Sequence, residues 1–295
     1  MWRNLHLKWK LMVAFVGVTV LPLVITTLII SNRMSARLEA MKIQDLIHRV
    51  GMVRNLFHKL NTKALDYISL LQGNEELIQE AYFTRTVGDN SALTRHLRQL
   101  IHMLDVDELA VFGLNETLLA QAGAPYQDHS PSPSLLAQAL TGQKVLGYDQ
   151  RQDEIILRAA GPLTSQGETI AAVTVGFHLS TRFAEQIQKT IGAEFALISG
   201  GKVVIASHAG MRATTWTPFP NLSPDTVHME REVHLNNTPY MMILAPLSLP
   251  SPLSQPSVII ALDKTDVRQT ISETRFSLFA ITTVIGVLTV LVSYG

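Results

Sequence analysis

The sequence predicts an α+β fold: a long N-terminal helix, then two antiparallel sheets in tandem, with a transmembrane helix at each end. Three observations predict it. Uncharged apolar runs occupy residues 11–32 and 276–295. Between them, an apolar stripe at helical spacing fills residues 34–71. A strand-rich segment then occurs twice.

The apolar runs come first. A helix of about 20 apolar residues spans a hydrocarbon core of about 30 Å, and Leu11–Asn32 and Phe276–Gly295 are both long enough. A core helix of this length normally keeps a polar face. A signal peptide has a shorter apolar stretch and a small-residue cleavage site after it. The first run is therefore an uncleaved anchor in a lipid bilayer, and Pro22 is tolerated inside it. Arg3, Lys8 and Lys10 place residues 1–10 in the cytoplasm, against Arg33 and Arg37 beyond the helix. The second run brings the chain back. Residues 33–275 are then expected in the periplasm of a multi-pass protein of the bacterial inner membrane.

Next, the stripe. Met34, Leu38, Met41, Leu46, Val50, Val53, Phe57, Leu60, Ala64, Ile68 and Leu71 recur mostly at steps of three or four. Such a helix reaches roughly 60 Å from the membrane. Its stripe can face a core, a second copy in a homodimer, or both. Gly73 is expected to end it and Asn74 to start a helix over residues 75–86. A further helix carries Leu93, Leu97, Leu100, Ile101 and Leu104.

From Glu108 the pattern changes to short strands. Residues 108–112 and 117–121 flank a turn at Gly113-Leu-Asn-Glu116, and a short helix spans residues 134–140. Strands follow at 144–148, 154–160 and 169–178. The order then returns: Leu109–Gly123 resembles Phe195–Gly210, and Ala160-Gly-Pro-Leu-Thr164 resembles Leu244-Ala-Pro-Leu-Ser248. The expected domains are a cytoplasmic N-terminus (1–10), a transmembrane helix (11–32), a helical part (33–104), a membrane-distal module (105–180), a linker helix (181–193), a membrane-proximal module (194–264), and a helix continuing into the second transmembrane segment (265–295).

Composition excludes several functions. Net charge is zero, which gives no basis for nucleic-acid binding. Cysteine is absent, so disulfides and thiol chemistry are excluded. His208, His228 and His234 match no zinc spacing, and no cofactor or metal is expected. The sequence has no nucleophile elbow, no His-Glu-x-x-His and no phosphate-cradling loop, so no enzyme is expected within this chain.

Leu109–Gly123 and Ala139–Ser180 carry a resemblance to a family. The latter runs from Ala-Leu-Thr-Gly-Gln143 through Leu-Arg-Ala-Ala-Gly-Pro-Leu163 to Ile-Ala-Ala-Val-Thr-Val-Gly176. Two PAS-like sheets between two membrane helices resemble the double Cache sensor domains of bacterial chemoreceptors, histidine kinases and diguanylate cyclases. The resemblance implies a ligand site in the first module, with an arginine at the place of Arg158 holding a ligand carboxylate. It also implies a homodimer and a cytoplasmic output domain beyond Gly295. The sequence lacks both the Tyr/Arg/Trp/Tyr array of amino-acid receptors and the basic and aromatic residues that precede the arginine in dicarboxylate sensors.

The residues themselves point to Arg158 as well. It alternates with Ile156 and Ala160 on one strand face. A buried guanidinium there needs an acceptor. The acceptor is either the carboxylate of a small anionic ligand or an internal acid such as Asp153 or Glu154. Tyr126, Tyr148, Arg151 and His178 are the other candidate ligand contacts. The alternative function is a membrane-anchored periplasmic interaction protein with no small-molecule ligand.

Overall fold

A computed structural model of the chain describes residues 7–123, 131–151, 154–199, 202–212, 230–247 and 257–294. Helix α1 (Leu7–Gln72) is continuous through Pro22 and Gly51. Val50, Val53, Phe57, Ala64, Ile68 and Leu71 of its stripe are buried, whereas Met34 and Met41 are exposed. Among the described residues no helix is long and apolar enough to cross a membrane. The apolar runs 11–32 and 276–295 fall partly on side chains outside the described residues.

Two helices follow. Asn74 caps α2 (Glu75–Val87) by accepting from the Leu77 N–H at 3.0 Å, and Gly88 ends it in the left-handed region that glycine adopts without strain. Helix α3 (Ser91–Leu104) buries Leu93, Leu97, Leu100, Ile101 and Leu104.

The first sheet contains β1 (Glu108–Gly113), β2 (Leu118–Gly123), β3 (Val145–Arg151), β4 (Glu154–Ser165) and β5 (Glu168–Leu179), ordered β2-β1-β5-β4-β3. The pairs β1/β2, β1/β5, β4/β5 and β3/β4 are antiparallel. Strands β4 and β5 are buried along most of their length because both sheet faces are covered. On one face lies α4 (Pro133–Leu140), capped by Ser132. Its Leu135, Leu136 and Ala139 pack with Ala110, Phe112, Ala160 and Ala172. On the other face lies α1. Ile68 comes so near the backbone of Gly161 that a Cβ there would sit 2.4 Å from it.

Helix α5 (Thr181–Ile191) leads to the second sheet. It contains β6 (Glu194–Ser199), β7 (Lys202–Ala206), β8 (Glu230–Leu235), β9 (Thr238–Pro246) and β10 (Ser257–Asp263), with the short α6 (Ala209–Arg212) between β7 and β8 in the chain. Its order, β7-β6-β10-β9-β8, repeats that of the first sheet strand for strand. Helix α7 (Thr265–Tyr294) follows β10.

The chain divides into two compact units: residues 1–47, 232–241 and 262–295, and residues 48–231 and 242–261. In the former, Lys264 stands between β10 and α7 and bridges Glu39 of α1 at 3.3 Å and Glu232 of β8 at 3.0 Å. The latter holds the first sheet with the helices that cover it.

Candidate functional site

Strand register assembles a polar row inside the first sheet. Glu108 on β1 pairs with Gly123 on β2 and with Gly176 on β5. Gly176 pairs in turn with Arg158 on β4, and Arg158 with Gly147 on β3. Directly opposed residues in antiparallel strands point to the same face, so two charged side chains share a row with three glycines. The glycine between them leaves no Cβ in the way, and the Glu108 and Arg158 side chains meet above it.

The contact is close and dry. Arg158 Nε donates to Glu108 Oε1 at 2.9 Å, and Nη2 lies 2.8 Å from the same oxygen. Both side chains have 0% exposure. Nη1 of Arg158 donates to Asp149 Oδ2 on β3, whose side chain is 15% exposed. Two carboxylates thus hold one guanidinium, the arrangement that makes a buried arginine tolerable. Glu108 Oε2 is buried and has no hydrogen-bond partner among the described residues.

His178 joins the row from the end of β5. It pairs with Ile156, which places it on the Arg158 face. Its backbone N–H donates to Asp107 Oδ2 at 2.7 Å. Its Nε2 lies 3.8 Å from Glu108 Oε1 and its Nδ1 3.5 Å from Glu154 Oε2. Glu108 is the largest cause of a raised imidazole pKa; partial burial opposes it, and the charges of Asp107 and Glu154 support it. At 3.8 Å the Glu108 attraction is that of an ion pair rather than an ordinary hydrogen bond.

A pH dependence follows from that shift. The unfolded imidazole titrates near 6.5 and the folded one higher. The stabilisation from His178 is therefore fully present below the unfolded value and is lost as pH rises through the folded one. The stability difference between wild type and His178→Gln should shrink as unfolding is measured from about pH 6 to pH 9. A difference that grows with pH, or stays constant, would refute the ion-pair assignment.

The other sequence candidates are placed differently. Tyr148 is buried on the opposite face, where its hydroxyl donates to Asn61 Oδ1 of α1 at 2.5 Å. Burial pushes its pKa up, and the bond to Asn61 partly opposes this. Arg151 occupies the β3 position paired with Glu154. Tyr126 lies outside the described residues, as does Asp153, one of the two acids expected to pair with Arg158. The other, Glu154, approaches His178. Sequence reasoning missed Glu108 and Asp149. The signal for Glu108 was a lone acid opening an otherwise apolar strand, Glu108-Leu-Ala-Val-Phe112.

Comparison with known proteins places this geometry in context. A family model described as the double sensory domain of two-component sensor kinase matches residues 53–248. The sensor domain of the histidine kinase DctB from V. cholerae is 13% identical with a TM-score of 0.50, covering 77% of this chain and 98% of its own. The periplasmic domain of LuxQ from Vibrio cholerae is 14% identical with a TM-score of 0.51, covering 74% and 99%. A domain named for the sensory box/GGDEF family, from Vibrio parahaemolyticus, is 9% identical with a TM-score of 0.52, covering 75% and 95%. At these identities the likeness is one of fold. No curated protein matches the sequence.

Proposed function

This chain belongs to the double Cache family of sensory domains of two-component sensor kinases, and from that premise we propose that it detects a small solute in the periplasm and relays the event across the inner membrane. The observation that carries this is the buried Glu108–Arg158–Asp149 group under α4, a polar centre inside an otherwise apolar sheet. Structural stability alone does not require such a centre, because an apolar pair of similar volume would serve as well.

A small carboxylate ligand fits Arg158 by exchange. Glu108 is fully enclosed, whereas Asp149 is at the partly exposed end, so an incoming anion replaces Asp149 on Nη1. A second reading rests on the unpartnered Glu108 Oε2 and on the excess of Asp107, Glu108, Asp149 and Glu154 over Arg158 and His178. It gives the ligand an N–H donor as well. Either way, binding shifts strands that end at His178 and Leu179, where Ser180 opens α5 toward the second sheet. Strand β10 then leads through Asp263 and Lys264 into α7. We assign residues 11–32 and 276–295 as the two membrane helices, the homodimer as the signalling unit, and a histidine kinase or diguanylate cyclase as the output. The ligand acts only through its different affinities for two arrangements, a coupling of about 1–3 kcal/mol.

Two measurements test this reading. Reporter fusions after Leu60 and after Gly295 should report opposite compartments; the same compartment for both ends the transmembrane assignment. Small carboxylates and amines are then screened by thermal shift on the full chain. An acid that exchanges with Asp149 should bind more tightly to Asp149→Asn and about tenfold or more weakly to Arg158→Lys, which loses the forked geometry. A ligand indifferent to both variants binds elsewhere.

A further inference from the structure

Away from the ionic row, α2 and α3 bring two carboxylates and an imidazole to one point. Glu76 and Glu80 stand four residues apart on α2 and so share a face of that helix. His96 of α3 is buried against them. One ligand-type atom from each of the three lies within 4.8 Å of the others. His96 Nδ1 is 2.8 Å from Glu80 Oε2, and its Nε2 is 3.5 Å from Asn74 Nδ2, so the ring is fixed from two sides.

We propose that Glu76, Glu80 and His96 form a site for a zinc-type divalent cation, separate from the ligand site of the first sheet. The pair His96–Glu80 alone is explained as a hydrogen bond between helices. It does not explain Glu76, whose carboxylate converges on the same point and repels Glu80 from the i, i+4 position. A doubly charged cation balances both carboxylates. The imidazole selects against calcium and magnesium, which prefer all-oxygen sites, and the nitrogen–oxygen donor set suits Zn2+.

The distances are compatible with this. Zinc bonds of about 2.0–2.2 Å put neighbouring donor atoms of a tetrahedron about 3.4 Å apart. The donor atoms lie from 2.8 Å to at most 4.8 Å apart, so side-chain rotations alone close the shell. Three protein donors leave one position for water or an outside ligand. Bound metal would clamp α2 onto α3.

The test is calorimetric titration of Zn2+ into the chelator-treated full chain in detergent. Wild type should bind with micromolar or tighter affinity. Glu76→Gln and His96→Gln should each weaken binding by about tenfold or more. A hundredfold excess of ion over the wild-type Kd should raise the wild-type unfolding midpoint by about 5 °C and that of each variant by about half as much or less. Glu76 is exposed, so Glu76→Gln keeps the fold and decides the matter even if His96→Gln does not fold. Equal affinity in wild type and Glu76→Gln, or no saturable binding to wild type, overturns the proposal.

Discussion

Arg158→Met is expected to lower the unfolding free energy by about 3–5 kcal/mol. Removing the guanidinium leaves Glu108 at 0% exposure with only His178, 3.8 Å away, to oppose its charge. Asp149 suffers less, since its side chain is partly open to solvent. The loss therefore belongs to the stranded Glu108 charge and should be recoverable by removing that charge. In Glu108→Leu/Arg158→Met, two apolar side chains of similar reach fill the row, and such replacements of buried ion pairs are often neutral or stabilising. The double variant should then recover most of the loss, a coupling well above the few tenths of a kcal/mol expected of independent sites. Thermal and urea unfolding of the full chain, followed by circular dichroism, measures all three variants. A loss below about 1 kcal/mol for Arg158→Met alone would mean that the pair is not buried as described.

The same pair shows what a sequence does and does not make legible. The burial of Arg158 was readable from Ile155, Ile156, Leu157, Ala159 and Ala160 around it. Its partners were not. Glu108 is 50 positions away in sequence and reaches Arg158 only through the register of β1 on β5 and β5 on β4. Register is a tertiary property, and a slip of one residue would turn every side chain to the other face. Tyr148 illustrates the same limit. The sequence groups it with Arg158 as a ligand contact, yet its cross-strand neighbour is Leu157, and alternation turns it toward Asn61 of α1.

Local signals served better. Asn74 caps α2 as expected, because caps are chosen by chemistry within a few residues. The α1 stripe is visible as a period of three and four, although Met34 and Met41 are exposed while Val50, Val53, Phe57, Ala64, Ile68 and Leu71 are buried. The hairpin turns at Gln166-Gly167 and Asn236-Asn237 are less legible in the sequence. All four residues take positive φ, which two-residue loops of type I′ require, but Gln166 is an unusual residue for it. The apolar pattern alone ends this strand at residue 160, whereas β4 runs five residues further, to Ser165.

Gly176→Ala should be nearly as damaging as Arg158→Met, for a steric reason. A Cβ at Gly176 would lie 2.3 Å from Glu108 Cγ and 2.4 Å from Glu108 Oε1. Those atoms are buried and tied to Arg158, so the carboxylate can move only by giving up that pair. Overpacking of a filled core costs about 1–3 kcal/mol, and the loosened ion pair adds to it. Gly147→Ala, in the same row, meets only the Leu135 Cδ1 methyl at 2.9 Å, which can rotate aside, and should be milder. The steric origin has its own signature. In a Glu108→Ala background the obstructing atoms are gone, and adding Gly176→Ala should then cost less than about 1 kcal/mol. If the glycine substitution is as harmful there as in the wild type, the backbone rather than the Glu108–Arg158 row requires glycine. If it is tolerated, β5 carries a glycine at this position so that an acid on one neighbouring strand can meet a base on the other.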